Sequence, residues 1–307
     1  RETMSESKKA SQQAGPASQP AARGEAETLQ RIREGLETLH LARMRQGLDE
    51  ILASPPREEL SRPEWLWRML EPQVRERLEG RVERRIRESR LPARKTLESF
   101  DFDFQPTLSR DLVLELATLR IIDRGFNVLL AGMSGTGKSH IAMALALAAC
   151  ADDRRVRYTT SALMLSTLNA ALADGSLSSA LRPYIQPELL VIDEVGLEQV
   201  ERSAASRSGL MQKVLLPRHE RRSTIVTSNI EWQSWGDYLG DHLGAAALID
   251  RLIHHSHVIV INGPSYRDHE HQKDVKHGGK DAAQEVPKGK GRQRAAPKSG
   301  PTPCASS

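Results

Sequence analysis

Two cysteines, Cys150 and Cys304, are all that this 307-residue chain carries. One lies in an apolar stretch and the other near the end, so there is no disulfide framework and a reducing, cytoplasmic setting is expected. Aromatic residues make up only 4%. No apolar run approaches the ~20 residues needed to cross a bilayer, and no signal-type apolar segment lies near the start. A membrane partner is therefore not expected. Residue 1 is Arg, and Met4 is a candidate natural start. A strong excess of one charge is missing too: 44 Lys and Arg against 40 Asp and Glu leave a net charge of +4. That balance permits a polyanionic partner without demanding one. His254, His255 and His257 have neither Cys nor carboxylate at ligand spacing in the sequence, so packing or polar contacts are expected of them rather than metal binding.

What the chain does have is a succession of segments with different composition. Residues 1 to about 24 are Ser, Ala, Gln, Gly and Pro with scattered charge, and disorder is expected there. Glu25 to Leu52 shows helical spacing, with Leu29, Ile32, Leu36 and Leu39 three and four apart, and Pro55 and Pro56 end it. A second helical region from Pro63 carries an apolar stripe of Leu66, Leu70, Val74, Leu78, Val82 and Ile86. Pro72 inside it predicts a kink or break. The opposite face holds Arg75, Arg77, Arg81, Arg84, Arg85, Arg87 and Arg90, either a solvated helix face or a surface for phosphate backbones. Residues 25–90 are thus expected to form a small α-helical domain. Residues 91–106, bounded by prolines, read as a linker into a domain at 107–268, and 269–307 as a basic, disordered tail.

In the second domain strands alternate with helices. Phe126 to Ala131, Val156 to Thr159, Leu189 to Ile192, Thr224 to Thr227 and Val258 to Ile261 are short apolar runs. Ser109–Ile122, Ser161–Ala173, Leu177–Ile185 and Gly209–Arg218 read as helices. This order indicates an α/β fold with a parallel sheet, whose ligands sit at the C-terminal strand ends.

One stretch organises the rest. After the first strand come Gly132, Met133, Ser134, Gly135, Thr136 and Gly137, then Lys138, Ser139 and an Ala-rich helix. Gly-x-x-x-x-Gly-Lys-Ser between strand and helix is a phosphate-binding loop. Its glycines bring backbone N–H groups close to an anion, with the helix N-terminus behind them. Lys138 would reach the β- and γ-phosphates of ATP, and the Ser139 hydroxyl would ligate Mg2+. The run Leu189-Leu190-Val191-Ile192 ends in Asp193 and Glu194. Asp193 can hold Mg2+ and Glu194 can polarise the attacking water as general base. Asn229 could orient that water, or could simply end a strand in a turn. Arg251 could reach a neighbouring subunit's γ-phosphate or pair with Asp250. Trp232 and Trp235 are expected to pack in the core or at an interface.

These residues resemble the IstB-like ATP-binding proteins, AAA+ ATPases that help an insertion-sequence transposase and are similar to the helicase loader DnaC. The resemblance rests on LPARKTLESFDFDF at 91–104, the loop followed by His140, LLVIDEVG at 189–196, STIVTSN at 223–229, WGDYLGD at 235–241 and LIDRLIHHSHVIVINGPSYR at 248–267. It implies a P-loop NTPase fold with residues 132–140 on the nucleotide, Asp193 and Glu194 as the acidic pair and Asn229 as the sensor asparagine. It also implies that Arg251 acts in trans in a homo-oligomer, that Arg267 is a weaker candidate for nucleotide sensing, and that the helices at 161–185 sit where related ATPases face nucleic acid. The implied partners are duplex DNA and a cognate transposase. Met133-Ser134 departs from the family's usual Pro-Pro pair. A DnaC-like helicase loader is the alternative, separable by which partner is retained. A small-molecule kinase is disfavoured because no acceptor-binding lid is evident.

Overall fold

The computed structural model describes residues 19–53, 61–197 and 207–269. The stretches 1–18 and 270–307, where disorder is expected, lie outside the described residues.

Three helices come first: α1 (Gln19–Thr38), α2 (Ala42–Ala53) and α3 (Arg62–Ser89). Helix α1 starts six residues before the expected Glu25. Ser61 and Glu64 cap α3 reciprocally, and Pro63 occupies the first turn, where its missing N–H costs nothing. The kink or break expected at Pro72 does not divide the helix, which is assigned as one 28-residue element. A mid-helix proline costs about 3 kcal/mol. Here good helix formers, Glu, Arg and Leu, flank it, and the helix is tied down at both ends. Near its start Met69 packs with Leu36, Met44 and Leu48 in a small core. Near its end Arg81 and Arg85 both reach Asp153, at 3.3 and 2.8 Å. Part of the basic face thus fastens α3 to the second domain. The expected apolar stripe is half covered: Leu66, Val74 and Leu78 stay exposed, while Leu70 packs on the small core and Ile86 on the second domain.

Helix α4 (Arg110–Ala117) and helix α5 (Arg120–Arg124) replace the single helix expected at Ser109–Ile122. Leu119 between them takes φ +62, which ends α4. Then follow β1 (Asn127–Gly132), α6 (Lys138–Ala151), β2 (Val156–Thr160), α7 (Ser161–Ala173), α8 (Leu177–Ile185) and β3 (Leu189–Val195). Helix α9 (Arg207–Leu215) runs into a 3-10 turn at Leu216–Arg218. After β4 (Ser223–Ser228), a second such turn at Trp232–Ser234 leads to α10 (Trp235–Leu239), α11 (His242–His254) and β5 (Ser256–Ile261).

The strands form one parallel sheet in the order β2-β3-β4-β1-β5. Alternate residues feed two cores. Val128, Leu130, Leu189 and Val191 meet α6 on one face. Leu129, Leu190, Ile192 and Val226 meet residues of α7, α9, α10 and α11 on the other. Covering both faces explains why these strands are apolar throughout rather than alternating. Trp235 is fully buried in the second core and donates its indole N–H to the Ser228 hydroxyl at 3.2 Å. It is a core anchor, as expected, with Trp232 half-buried beside it. Arg218, which no local pattern marks out, is buried at 1% exposure and donates to the carbonyls of Tyr184, Ile185 and Pro187 at 2.8–3.1 Å. A charge so deep is tolerable only with its donors satisfied.

Residues 91–109 contain no helix, yet they are not a free linker. Leu91, Leu97, Phe100 and Phe102 pack on the first core. This strap crosses the C-terminal ends of β1 and β5 and becomes one wall of a cleft.

Candidate nucleotide site

The cleft has a volume of about 410 Å³ and opens over the loop between β1 and α6. Gly132, Gly135 and Gly137 all take positive φ in that loop, and a Cβ on Gly135 would lie 2.2 Å from Ser265 Oγ. A Cβ on Gly132 (φ +145) would lie 2.3 Å from the Ile261 carbonyl oxygen, and one on Gly137 (φ +95) would lie 2.6 Å from the Phe100 ring. The loop is therefore gripped between β5 and the strap. Tyr266 donates its N–H to the Gly135 carbonyl at 2.9 Å from the far side.

Lys138 is 4% exposed and donates to the carbonyls of Gly132 and Met133 at 2.7 and 2.6 Å. Burial pulls its pKa down to about 8; Asp193 offsets this in part, and Arg267 adds to it. A buried ammonium satisfied by loop carbonyls is a group that an incoming phosphate can capture.

Asp193 is the hub. Its Oδ1 accepts from the Ser139 hydroxyl at 2.9 Å and from Thr227 Oγ1, and its Oδ2 accepts from the Tyr158 hydroxyl. Burial, with the charges of Asp193 and Glu194, pushes the Tyr158 pKa up, so the phenol remains a donor. Thr227 Oγ1 also accepts the Glu194 N–H at 2.9 Å. Glu194 adopts φ +63 at an irregularity in the pairing of β3 with β4. One hydroxyl on β4 thus holds both acidic residues at the tip of β3. Asn229, two residues further on, donates its N–H to the Val195 carbonyl at 3.2 Å and lines the cleft with Glu194.

Gly135 to His140, Glu194, Asn229 and Arg267 all line this cleft, whereas exposed Met133 points away from burial. The His140 ring nitrogen is 2.9 Å from the Thr96 carbonyl oxygen, and the ring meets Phe100 edge-on at 5.2 Å, so it bolts the strap to α6. Arg251 lies elsewhere: it is exposed on α11, borders a small pocket with Arg218 and His219, and makes no ion pair with Asp250. The residue set fits Mg2+ with ATP, since Ser139 lines the cleft beside Lys138 and Glu194 and its hydroxyl is 2.9 Å from the buried Asp193 carboxylate, a hydroxyl and carboxylate pair of oxygen donors.

Sequence reasoning missed Tyr158, Thr227 and the strap residues Phe100 and Phe104. Tyr158 and Thr227 matter because β2 and β4 flank β3, a pairing no local signal carries. The strap's aromatic residues in LESFDFDF were a visible signal. The histidines make the packing and polar contacts expected of them: His255 and His257 lie against Phe126, and Glu220, 35 positions away, comes to 2.9 Å from His255.

A parallel sheet in this order, with a glycine loop after β1, an acidic pair at the tip of β3 and a polar tip on β4, defines a P-loop NTPase of the AAA+ type. The chain belongs to the IstB-like ATP-binding proteins, whose family profile matches residues 35–274. It is 36% identical over 238 residues to the ATP-binding protein named for insertion sequence IS21 of Pseudomonas aeruginosa, covering 78% of this chain and 89% of that one. Against the corresponding protein of IS5376 from Geobacillus stearothermophilus the identity is 34%, over 78% and 94% of the two chains. Among solved structures, AMPPCP-bound DnaA from Aquifex aeolicus superposes with a TM-score of 0.45 at 20% identity, over 65% of this chain and 59% of that one. The DnaC helicase loader gives 0.42 at 18%, over 50% and 90%. Among the described residues no helix is long and apolar enough to cross a membrane.

Proposed function

We propose that this protein is a Mg2+-dependent ATPase that assembles as a homo-oligomer on duplex DNA and assists the transposase of an insertion sequence in choosing and receiving its target. The observation that carries the reading is the shared clamp on Asp193 and Glu194 beneath the phosphate loop. The names of the relatives supply the insertion-sequence context.

Lys138 and the N-terminus of α6 neutralise the β- and γ-phosphates. Ser139 and Asp193 hold Mg2+, which when bound neutralises charge on the phosphate oxygens. Glu194 polarises the attacking water and Asn229 orients it toward the γ-phosphate. Phe100 and Phe104 form an apolar wall on which the base can lie. Arg251, exposed and remote from its own cleft, acts on the nucleotide of a neighbouring subunit. Completing the site in this way makes ATP the bond between subunits, and hydrolysis releases it. DNA contact is mainly to phosphates, so affinity falls steeply with salt.

The test is phosphate release with Mg2+, with and without duplex DNA, combined with sedimentation on a DNA fragment. The parent protein should turn over ATP. Glu194→Gln should bind ATP, fail to hydrolyse it and remain on DNA. Absence of turnover under every condition, or an unchanged rate in Glu194→Gln, refutes the assignment.

A further inference from the structure

We propose that Glu220, His254 and His255 form a second ligand site, a binding site for a divalent transition ion of the zinc class, separate from the nucleotide cleft. Each of the three offers one ligand atom, and these atoms lie within 4.8 Å of one another. His255 Nε2 is 2.9 Å from Glu220 Oε1, and His219 Nε2 is 3.6 Å from the same oxygen. Three imidazoles therefore gather around one carboxylate, although the four residues come from two places 35 positions apart.

The scaffold beneath them is rigid. His254 ends α11, and His255 joins it to β5. The His255 carbonyl accepts from the Asn127 N–H at 2.8 Å, which ties this junction to β1. Phe126 packs against the His255 ring at 5.6 Å between centroids, and the rings of His254 and His255 stand perpendicular at 4.4 Å. Glu220 sits in a tight turn with φ +56, which aims its side chain back at the helix end.

The donor set selects the ion. Two imidazole nitrogens and one carboxylate oxygen suit Zn2+, Ni2+ or Co2+ and are a poor match for Mg2+, which prefers oxygen. Bonds of about 2.0–2.1 Å in a tetrahedron place ligand atoms roughly 3.4 Å apart. The pair at 2.9 Å is already near that spacing, and rotation of the exposed His254 and Glu220 side chains closes the rest. His219 or water fills the fourth position. The ion would lock the turn before β4 to the end of α11, the helix that carries Arg251 one turn upstream of His254.

The experiment uses the full chain, stripped with chelator and titrated with Zn2+ by calorimetry, and with Co2+ followed by absorption. We expect one ion bound in the micromolar range, with a cobalt spectrum of nitrogen and oxygen ligands lacking a thiolate charge-transfer band. Mg2+ at the same concentration should not compete. Glu220→Gln and His255→Ala should each weaken binding at least about tenfold, and His257→Ala should leave it unchanged. Glu220→Gln changes an exposed side chain, so its fold and ATP binding serve as controls. No zinc binding, a thiolate band from Cys304, or equal affinity in Glu220→Gln overturns the proposal.

Discussion

Thr227→Val replaces one γ-oxygen by a methyl group of similar size on a strand that is buried along its whole length. The hydroxyl removed donates to Asp193 and accepts from the Glu194 N–H. Valine does neither, so the Glu194 N–H loses its partner, at a cost of about 1–3 kcal/mol for a buried group. Glu194 is held at φ +63, a conformation that costs an L-residue roughly 1–2 kcal/mol, and removing one of the contacts that hold it favours relaxation. Either change withdraws the carboxylate from its aim at the water. At 1.36 kcal/mol per factor of ten, the lower and upper ends of the N–H cost correspond to a fall in kcat of about 5-fold to 150-fold. The phosphate loop is untouched, so KM for ATP and the affinity for a fluorescent nucleotide should hold. Thr227→Ser keeps the oxygen and should restore most of the rate. Steady-state phosphate release across ATP concentrations reads both parameters. A Thr227→Val protein with parental kcat, or one that loses kcat and nucleotide affinity alike, refutes the clamp.

The remaining expectations concern the floor, roof and neighbour of the cleft. Lys138 titrates near pH 8 without a phosphate, so above that pH the triphosphate must bring a proton with it. ATP affinity should then fall by up to about tenfold per pH unit from pH 8 toward 10.5. Calorimetry in buffers of different ionisation heat should detect proton uptake, and Lys138→Arg should flatten the profile. A flat profile in the parent contradicts the burial argument. The same shift has the opposite sign for folding: the unfolded chain holds more protons between pH 8 and 10.5, so the penalty for burying this charge lifts as pH rises through that window. Phe100→Ala removes the ring against Gly137 and should raise KM severalfold with kcat little changed, measured in the same assay. Arg251→Ala should bind ATP normally but turn over slowly. Mixing it with Lys138→Ala should recover part of the rate, and no recovery on mixing would place the arginine's role within its own chain.

Local order carried most of the nucleotide-binding half. The apolar run into Gly132, the lysine after Gly137 and the Ala-rich helix describe one short piece of chain, and β1 and α6 follow it closely. The tips of β3 and β4 were legible for the same reason, since Asp193, Glu194 and Asn229 each end an apolar run. What was not legible depends on residues distant in sequence. Tyr158 and Thr227 look like ordinary strand residues until β2 and β4 are laid on either side of β3. Glu220 looks like a turn residue until α11 ends beside it. The lack of helical periodicity in residues 91–106 was visible, but periodicity says nothing about what an irregular segment packs on. At Pro72 the break is excluded, since α3 runs on through it, anchored at both ends. Leu119 is a break in an otherwise helical pattern that no glycine or proline announces.

The strap gives the molecule a mechanical property. The peptide that leaves α3 is the one that presses on Gly137 and walls one side of the cleft. Helices and sheet therefore cannot be separated by a cut at that seam without opening the cleft. Arg81 and Arg85, hooked on Asp153, hold in place the end of α3 from which this strap departs.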